Sequence, residues 1–161
     1  MPATVSTTLL SILPYRGKTR TCWAAFCATE SFTGGACRAA DEITGEISQP
    51  KLAAKVKNPS FLAVHPTLPI VYAVSEIADL NGKPTGGIIS FNVDMHSGQL
   101  TQQSDQPSLG KGPCHLSLDA TGKSLLAANY GSGSVICLGI ANDGSLLSPV
   151  ATKQDKPGGF I

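Results

Sequence analysis

The sequence predicts an all-β fold, a β-propeller with about three blades present. Three observations predict it: a repeat 54 residues long, four strand-like segments in each repeat, and turn residues between them. The repeat is read first. Asn58-Pro59-Ser60-Phe61-Leu62-Ala63-Val64-His65-Pro66, followed by Ile70-Val71-Tyr72-Ala73-Val74-Ser75-Glu76, aligns without a gap on Gly112-Pro113-Cys114-His115-Leu116-Ser117-Leu118-Asp119-Ala120, followed by Ser124-Leu125-Leu126-Ala127-Ala128-Asn129-Tyr130. A second element recurs: Gly87 to Val93 with the turn Ser97-Gly98-Gln99-Leu100 matches Ser134 to Ile140 with Asp143-Gly144-Ser145-Leu146. Thr44-Gly45-Glu46-Ile47 is a fainter third copy of that turn.

The clearest repeat holds candidate strands at 61–64, 70–74, 87–93 and 99–103. Thr67-Leu68-Pro69 and Thr121-Gly122-Lys123 fall where a tight hairpin must reverse the chain, and Ser97-Gly98 and Asp143-Gly144 supply residues that tolerate positive φ. A helical solenoid would show a period near 3.6 instead. Each blade of a propeller buries both faces against neighbours, so three blades cannot close. The expectation is therefore a fragment of a longer chain, or a chain that needs other copies to complete a ring.

Composition supports this class. The chain has 161 residues, 42% of them hydrophobic and 14% charged, with 17 glycines and 11 prolines spread along it. A net charge of +1 gives no broad field to attract nucleic acid or an anionic membrane. No apolar run approaches the roughly 20 residues that span a bilayer, and Thr7 to Leu13 lacks the basic flank of a secretory signal. The expected compartment is the cytoplasm. Cys22, Cys27, Cys37, Cys114 and Cys137 are an odd set without a CxxC pair, which reads as reduced thiols rather than a disulfide framework or zinc site. Residues 1–37 stand apart. Arg16, Arg20, Trp23 and three of the cysteines fall there without clean alternation, so the stretch reads as an atypical leader, a divergent first blade or a translation out of frame. Residues 38–161 read as the partial propeller.

Asn58 to Pro66, Tyr72-Ala73-Val74-Ser75-Glu76, Gly112-Pro113-Cys114-His115-Leu116 and Ala128-Asn129-Tyr130-Gly131-Ser132-Gly133-Ser134-Val135 together resemble the lactonase family of seven-bladed β-propellers that includes the propeller-type 6-phosphogluconolactonases. The resemblance spans about residues 39–150. It implies hydrolysis of 6-phospho-D-glucono-1,5-lactone to 6-phosphogluconate in the pentose phosphate pathway; a related branch handles carboxymuconate lactones. It also implies a small-molecule sugar lactone as partner, no cofactor, no metal, and a monomeric complete protein. The family's Gly-Pro-His-x-His-like segment, and later Glu and Arg positions around its central channel, find no match within these residues.

Opening a lactone needs a base for water, a stabiliser for the tetrahedral oxyanion and an acid for the departing ring oxygen. In a propeller, the loop entering the innermost strand and the loop leaving the second strand open on one face. Pro113-Cys114-His115 and Asn129-Tyr130 would meet there, beside Pro59-Ser60 and Ser75-Glu76. His115 is the candidate base or acid, because an imidazole exchanges protons near neutral pH. Glu76 could orient that imidazole, bind a sugar hydroxyl, or simply end a hairpin in solvent. Asn129 could donate to an oxyanion or serve as a turn former, and Ser60 and Tyr130 complete a polar mouth. For a phosphate, Lys111 and the amides of Gly131 to Ser134 are the local anchors, since no arginine follows Arg38. His65 corresponds to Asp119 in the next repeat, which suits a turn cap; His96 is expected exposed in an outer hairpin. Cys114 and His115 are adjacent on a strand and so point to opposite faces, which disfavours a Cys/His nucleophile. A non-catalytic binding scaffold is the competing class, and it would carry bulky aromatics on the mouth loops.

Overall fold

The computed structural model describes residues 7–13, 21–29, 32–40, 44, 46, 49, 51–95 and 97–154. Twelve strands are present among them: β1 (Thr7–Leu13), β2 (Thr21–Thr29), β3 (Phe32–Ala40), β4 (Lys51–Ala54), β5 (Leu62–Val64), β6 (Ile70–Ser75), β7 (Gly87–Val93), β8 (Leu100–Pro107), β9 (Pro113–Leu118), β10 (Ser124–Asn129), β11 (Ser134–Ile140) and β12 (Leu146–Gln154). They form three four-stranded sheets, β1-β2-β3-β4, β5-β6-β7-β8 and β9-β10-β11-β12, in which every paired neighbour runs antiparallel. Three such meanders are the three expected blades, named A, B and C below. Three of the strands of blade A, β1, β2 and β3, fall before residue 41, while His96 lies outside the described residues.

The hairpins follow from local chemistry. Gly98 and Gly144 sit at φ 73° and 81°, so the two repeat-related outer turns use the positive φ that glycine adopts without penalty. In the fainter copy the Glu46 amide donates to Thr44 Oγ1 at 3.3 Å, the local turn contact that makes Ser and Thr turn formers. The inner hairpins use His65 and Asp119 in the same way. His65 Nδ1 accepts from the amides of Thr67 and Leu68 at 3.2 and 3.0 Å. Asp119 Oδ1 accepts from Lys123 and Ser124 at 2.8 and 2.7 Å, and Oδ2 from Thr121. Both residues cap turns.

The blades stack through two apolar layers. Between A and B, Ala53 and Val56 pack with Leu62, Val71, Ala73, Phe91 and Leu100. Between B and C, Ile70, Tyr72, Val74 and Ile88 meet Leu116, Leu125, Ala127, Ile136 and Leu138. Because both faces of blade B are covered, every residue of β6 is buried, whereas β10 of blade C alternates and leaves Leu126 exposed. Each fully buried Leu or Ile in these layers contributes about 1.5–3 kcal/mol. Polar ties fix how the blades meet. The Tyr72 hydroxyl donates to Gly144 O at 2.8 Å, and the Leu146 amide donates to Ser104 Oγ at 2.8 Å.

Candidate active site

Two backbone segments of each blade meet at one end of its sheet. In blade B the Glu76 amide donates to Asn58 O at 3.0 Å; 54 residues on, the Tyr130 amide donates to Gly112 O at 2.9 Å. Asn58 and Gly112 both sit at positive φ, 43° and 61°, where the chain turns into the innermost strand. An Asn or a Gly suits that conformation, which explains why this repeat position alternates between them. Adjacent mouths are joined as well: the Gly112 amide donates to Ile77 O at 3.1 Å and the Gly86 amide to Gly110 O at 2.7 Å. The expected convergence of the two loop sets is therefore built from backbone hydrogen bonds, and it leaves side chains free to differ between blades.

Those side chains do differ. His115 is exposed on β9, paired with Ala128 of β10, and its ring centroid lies 4.3 Å from that of Phe61 with the planes tilted by 41°. Half-buried Cys114 turns the other way, its Sγ 3.6 Å from Ala128 O, so the two neighbours do not form a nucleophile pair. Glu76 is half-buried, and Asn58 Nδ2 donates to its carbonyl at 2.6 Å. No hydrogen bond or ion pair joins the Glu76 carboxylate to His115 among the described residues, so the orienting role considered for Glu76 has no contact behind it. Ser60 is half-buried at the entry to β5, while Tyr130 is 85% exposed at the exit of β10. Lys111 has an exposed side chain on a fixed backbone. Its amide donates to Ser132 Oγ at 3.2 Å and its carbonyl accepts from Gly131 N–H at 2.9 Å.

Two expectations change at this point. Asn129 is only 2% exposed, and its Nδ2 donates to Ser108 O at 2.9 Å and Ser134 Oγ at 3.1 Å. Both amide protons are committed to the loops, so Asn129 has no donor left for an oxyanion. Its repeat counterpart Ser75 does the same work, donating to Lys57 O at 2.7 Å. The suggested phosphate anchor at residues 131–134 is reduced, because two of its amides, those of Gly131 and Gly133, already donate to Lys111 O and Tyr130 O.

A polar knot under the mouth joins the 128–135 motif to Ser108 and Gly110, two residues that no motif marked. Ser132 Oγ and Ser134 Oγ are 2.8 Å apart, and Ser108 Oγ donates to Gly110 O at 2.8 Å. Gly110 fits only because it lacks a side chain: a Cβ there would stand 2.4–2.6 Å from Ser132 Oγ, Asn129 Nδ2 and Ser134 Oγ. Phe61 was also missed as a neighbour of His115. The signal was present, since the two occupy the same place in the repeat.

The comparisons agree with this architecture. A family model described as "Lactonase, 7-bladed beta-propeller" matches residues 35–159. The chain is 41% identical over 105 residues to the 6-phosphogluconolactonase of Bacillus subtilis, covering 65% of this chain and 29% of that protein. Among solved structures, a candidate 6-phosphogluconolactonase of Bacteroides fragilis superposes with a TM-score of 0.76 at 27% identity, over 89% of this chain and 38% of that one. A periplasmic gluconolactonase of Pseudomonas aeruginosa gives 0.67 at 26% identity, over 93% and 39%. The chain thus spans well under half the length of these relatives. Among the described residues no helix is long and apolar enough to cross a membrane. On the repeat, the three stacked meanders and the family match together, the chain belongs to the lactonase family of seven-bladed β-propellers.

Proposed function

We propose that this chain supplies part of a lactone-hydrolysing site whose substrate is 6-phospho-D-glucono-1,5-lactone, a step of the pentose phosphate pathway in the cytoplasm. The observation that carries the reading is His115: an exposed imidazole on the edge strand β9 of blade C, whose entry loop is hydrogen-bonded to the loop ends that bear Tyr130 and Glu76. The B. subtilis relative, named for this activity, supports the substrate.

In this reading His115 takes a proton from water as the water oxygen bonds to the lactone carbonyl carbon. The tetrahedral intermediate then expels the ring oxygen, which receives the proton back from the imidazolium, leaving a free carboxylic acid and a hydroxyl. No other reactant is consumed. General acid–base help of this kind is worth about 10²–10⁴-fold. In this reading the Tyr130 hydroxyl and the Glu76 carboxylate bind sugar hydroxyls and the Lys111 ammonium pairs with the phosphate, whereas Ser60, expected at the mouth, has its hydroxyl oxygen buried and takes no part. Asn129 holds the mouth together instead of touching substrate.

A second reading has one observation in its favour. Residues 39–161 contain no arginine, the side chain best shaped to hold a phosphate, and the P. aeruginosa neighbour is described as a gluconolactonase. The test is therefore a two-substrate assay. Freshly generated 6-phosphogluconolactone and unphosphorylated gluconolactone are hydrolysed in parallel by this chain and by the complete reading frame that contains it. A higher kcat/KM for the phosphorylated lactone in the complete protein supports the proposal. Preference for the unphosphorylated lactone moves the assignment to the second reading, and no hydrolysis of either by a folded complete protein rejects both.

A further inference from the structure

The contact between Phe61 and His115 joins corresponding positions of neighbouring blades. Phe61 directly precedes β5 and His115 is the third residue of β9; they are 54 residues apart in the repeat, and their ring centroids are 4.3 Å apart. The imidazole is exposed, and among the described residues no hydrogen bond fixes it. Its orientation is left to packing. Phe61, by contrast, is anchored. Its carbonyl accepts from the Val74 amide at 3.1 Å, Pro59 and Leu62 on either side are buried, and its ring packs on the apolar layer between blades B and C.

We propose that Phe61 is a positioning residue for the reaction, bracing the His115 imidazole in one orientation at the mouth through their ring contact. The inference rests on the catalytic reading of His115 above. A base must stand within hydrogen-bond reach of the water it deprotonates, and an exposed side chain free to turn spends part of its time elsewhere. A tilted aromatic pair of this kind favours the paired rotamer by about two- to tenfold. Phe61 touches neither water nor lactone in this account; it acts through the imidazole.

The experiment measures kcat, KM and the His115 ring-proton resonances in the complete protein for Phe61→Leu, Phe61→Tyr, His115→Ala and the double variant. Expected for Phe61→Leu is a kcat lower by about two- to tenfold, with KM changed by less than about twofold. Phe61→Tyr should restore kcat, and Phe61→Leu should cost nothing further once His115 is alanine. The His115 ring protons should also move downfield when the phenyl ring current is lost. If Phe61→Leu destabilises the fold, as thermal unfolding would show, Phe61→Met takes its place, being closer in volume. Full kcat in Phe61→Leu beside an impaired His115→Ala overturns the inference alone. The same loss in both backgrounds assigns Phe61 to packing and also overturns it. Full activity of His115→Ala overturns the catalytic reading, and the inference with it.

Discussion

His65 Nε2 lies 3.1 Å from Gly122 O, so the imidazole that caps the inner hairpin of blade B also donates to the inner hairpin of blade C. Its Nδ1 accepts from two backbone amides, which leaves the proton on Nε2 for the carbonyl. One buried side chain therefore closes a turn and locks two blades. Replacing it with alanine should strand two amides and a carbonyl, with a loss of about 2–4 kcal/mol in urea unfolding. A His65→Ala variant within about 0.5 kcal/mol of the parent, the range of ordinary surface changes, would contradict this role.

Tyr72 makes the second lock. Its fully buried hydroxyl donates to Gly144 O, and removing it in Tyr72→Phe should cost about 1–2 kcal/mol without disturbing the surrounding packing. Burial, with the Asp143 carboxylate nearby, pushes the phenol well above its ordinary value. In the unfolded chain the phenol ionises near pH 10. The contribution of Tyr72 should accordingly be constant below that pH and fall above it, where only the unfolded form loses its proton. Tyr72→Phe should remove that alkaline slope in unfolding titrations.

Asp119 gives an acid-side signature. The Thr121 hydroxyl, then the amides of Ser124, Thr121 and Lys123, lower its carboxyl from 3.8 to about 2. A depressed carboxyl stabilises the fold above its unfolded value and loses that effect as pH falls through the folded one. The contribution is present above pH 3.8 and fades toward pH 2. Since the group is exposed, the effect is small and screened by salt. Thermal unfolding of Asp119→Asn against the parent should show the two melting temperatures converging across that window, and a constant gap would contradict the assignment.

Lys111 separates the two substrate readings. A single ammonium–phosphate contact at an exposed mouth is worth about 1 kcal/mol, so Lys111→Ala should raise KM for the phosphorylated lactone by roughly fivefold. KM for unphosphorylated gluconolactone should not change. Equal effects on both substrates would show that Lys111 holds the loop rather than the phosphate.

Much of this structure was legible in the repeat. The strands of blade B begin and end within a few residues of the expected ones, Gly98 and Gly144 take the positive φ that their turns demand, and the pairing of His65 with Asp119 exposed a shared capping role before any geometry. Local turn chemistry and period-2 patterning act over a few residues and can be read from them. The site was less legible, because it depends on how one loop meets another. That Asn129 spends both amide protons on Ser108 and Ser134, or that Phe61 lies against His115, follows from contacts between segments 5 to 54 residues apart. Residue type alone made Asn129 a plausible donor, and only its partners show otherwise. The repeat offers a remedy. Where Ser75 and Asn129 do the same loop-tying work, the position belongs to the scaffold; where Phe61 faces His115 and Glu76 replaces Tyr130, chemistry has room to differ.

The proposed role of His115 is to move the proton in lactone opening. Its most direct test is kcat of the complete protein on freshly generated 6-phosphogluconolactone, parent against His115→Ala, followed through coupled oxidation of 6-phosphogluconate. A loss of about a hundredfold or more is expected, with the variant folded. A folded His115→Ala variant that keeps kcat within about threefold of the parent, well short of what a general acid or base supplies, would contradict it.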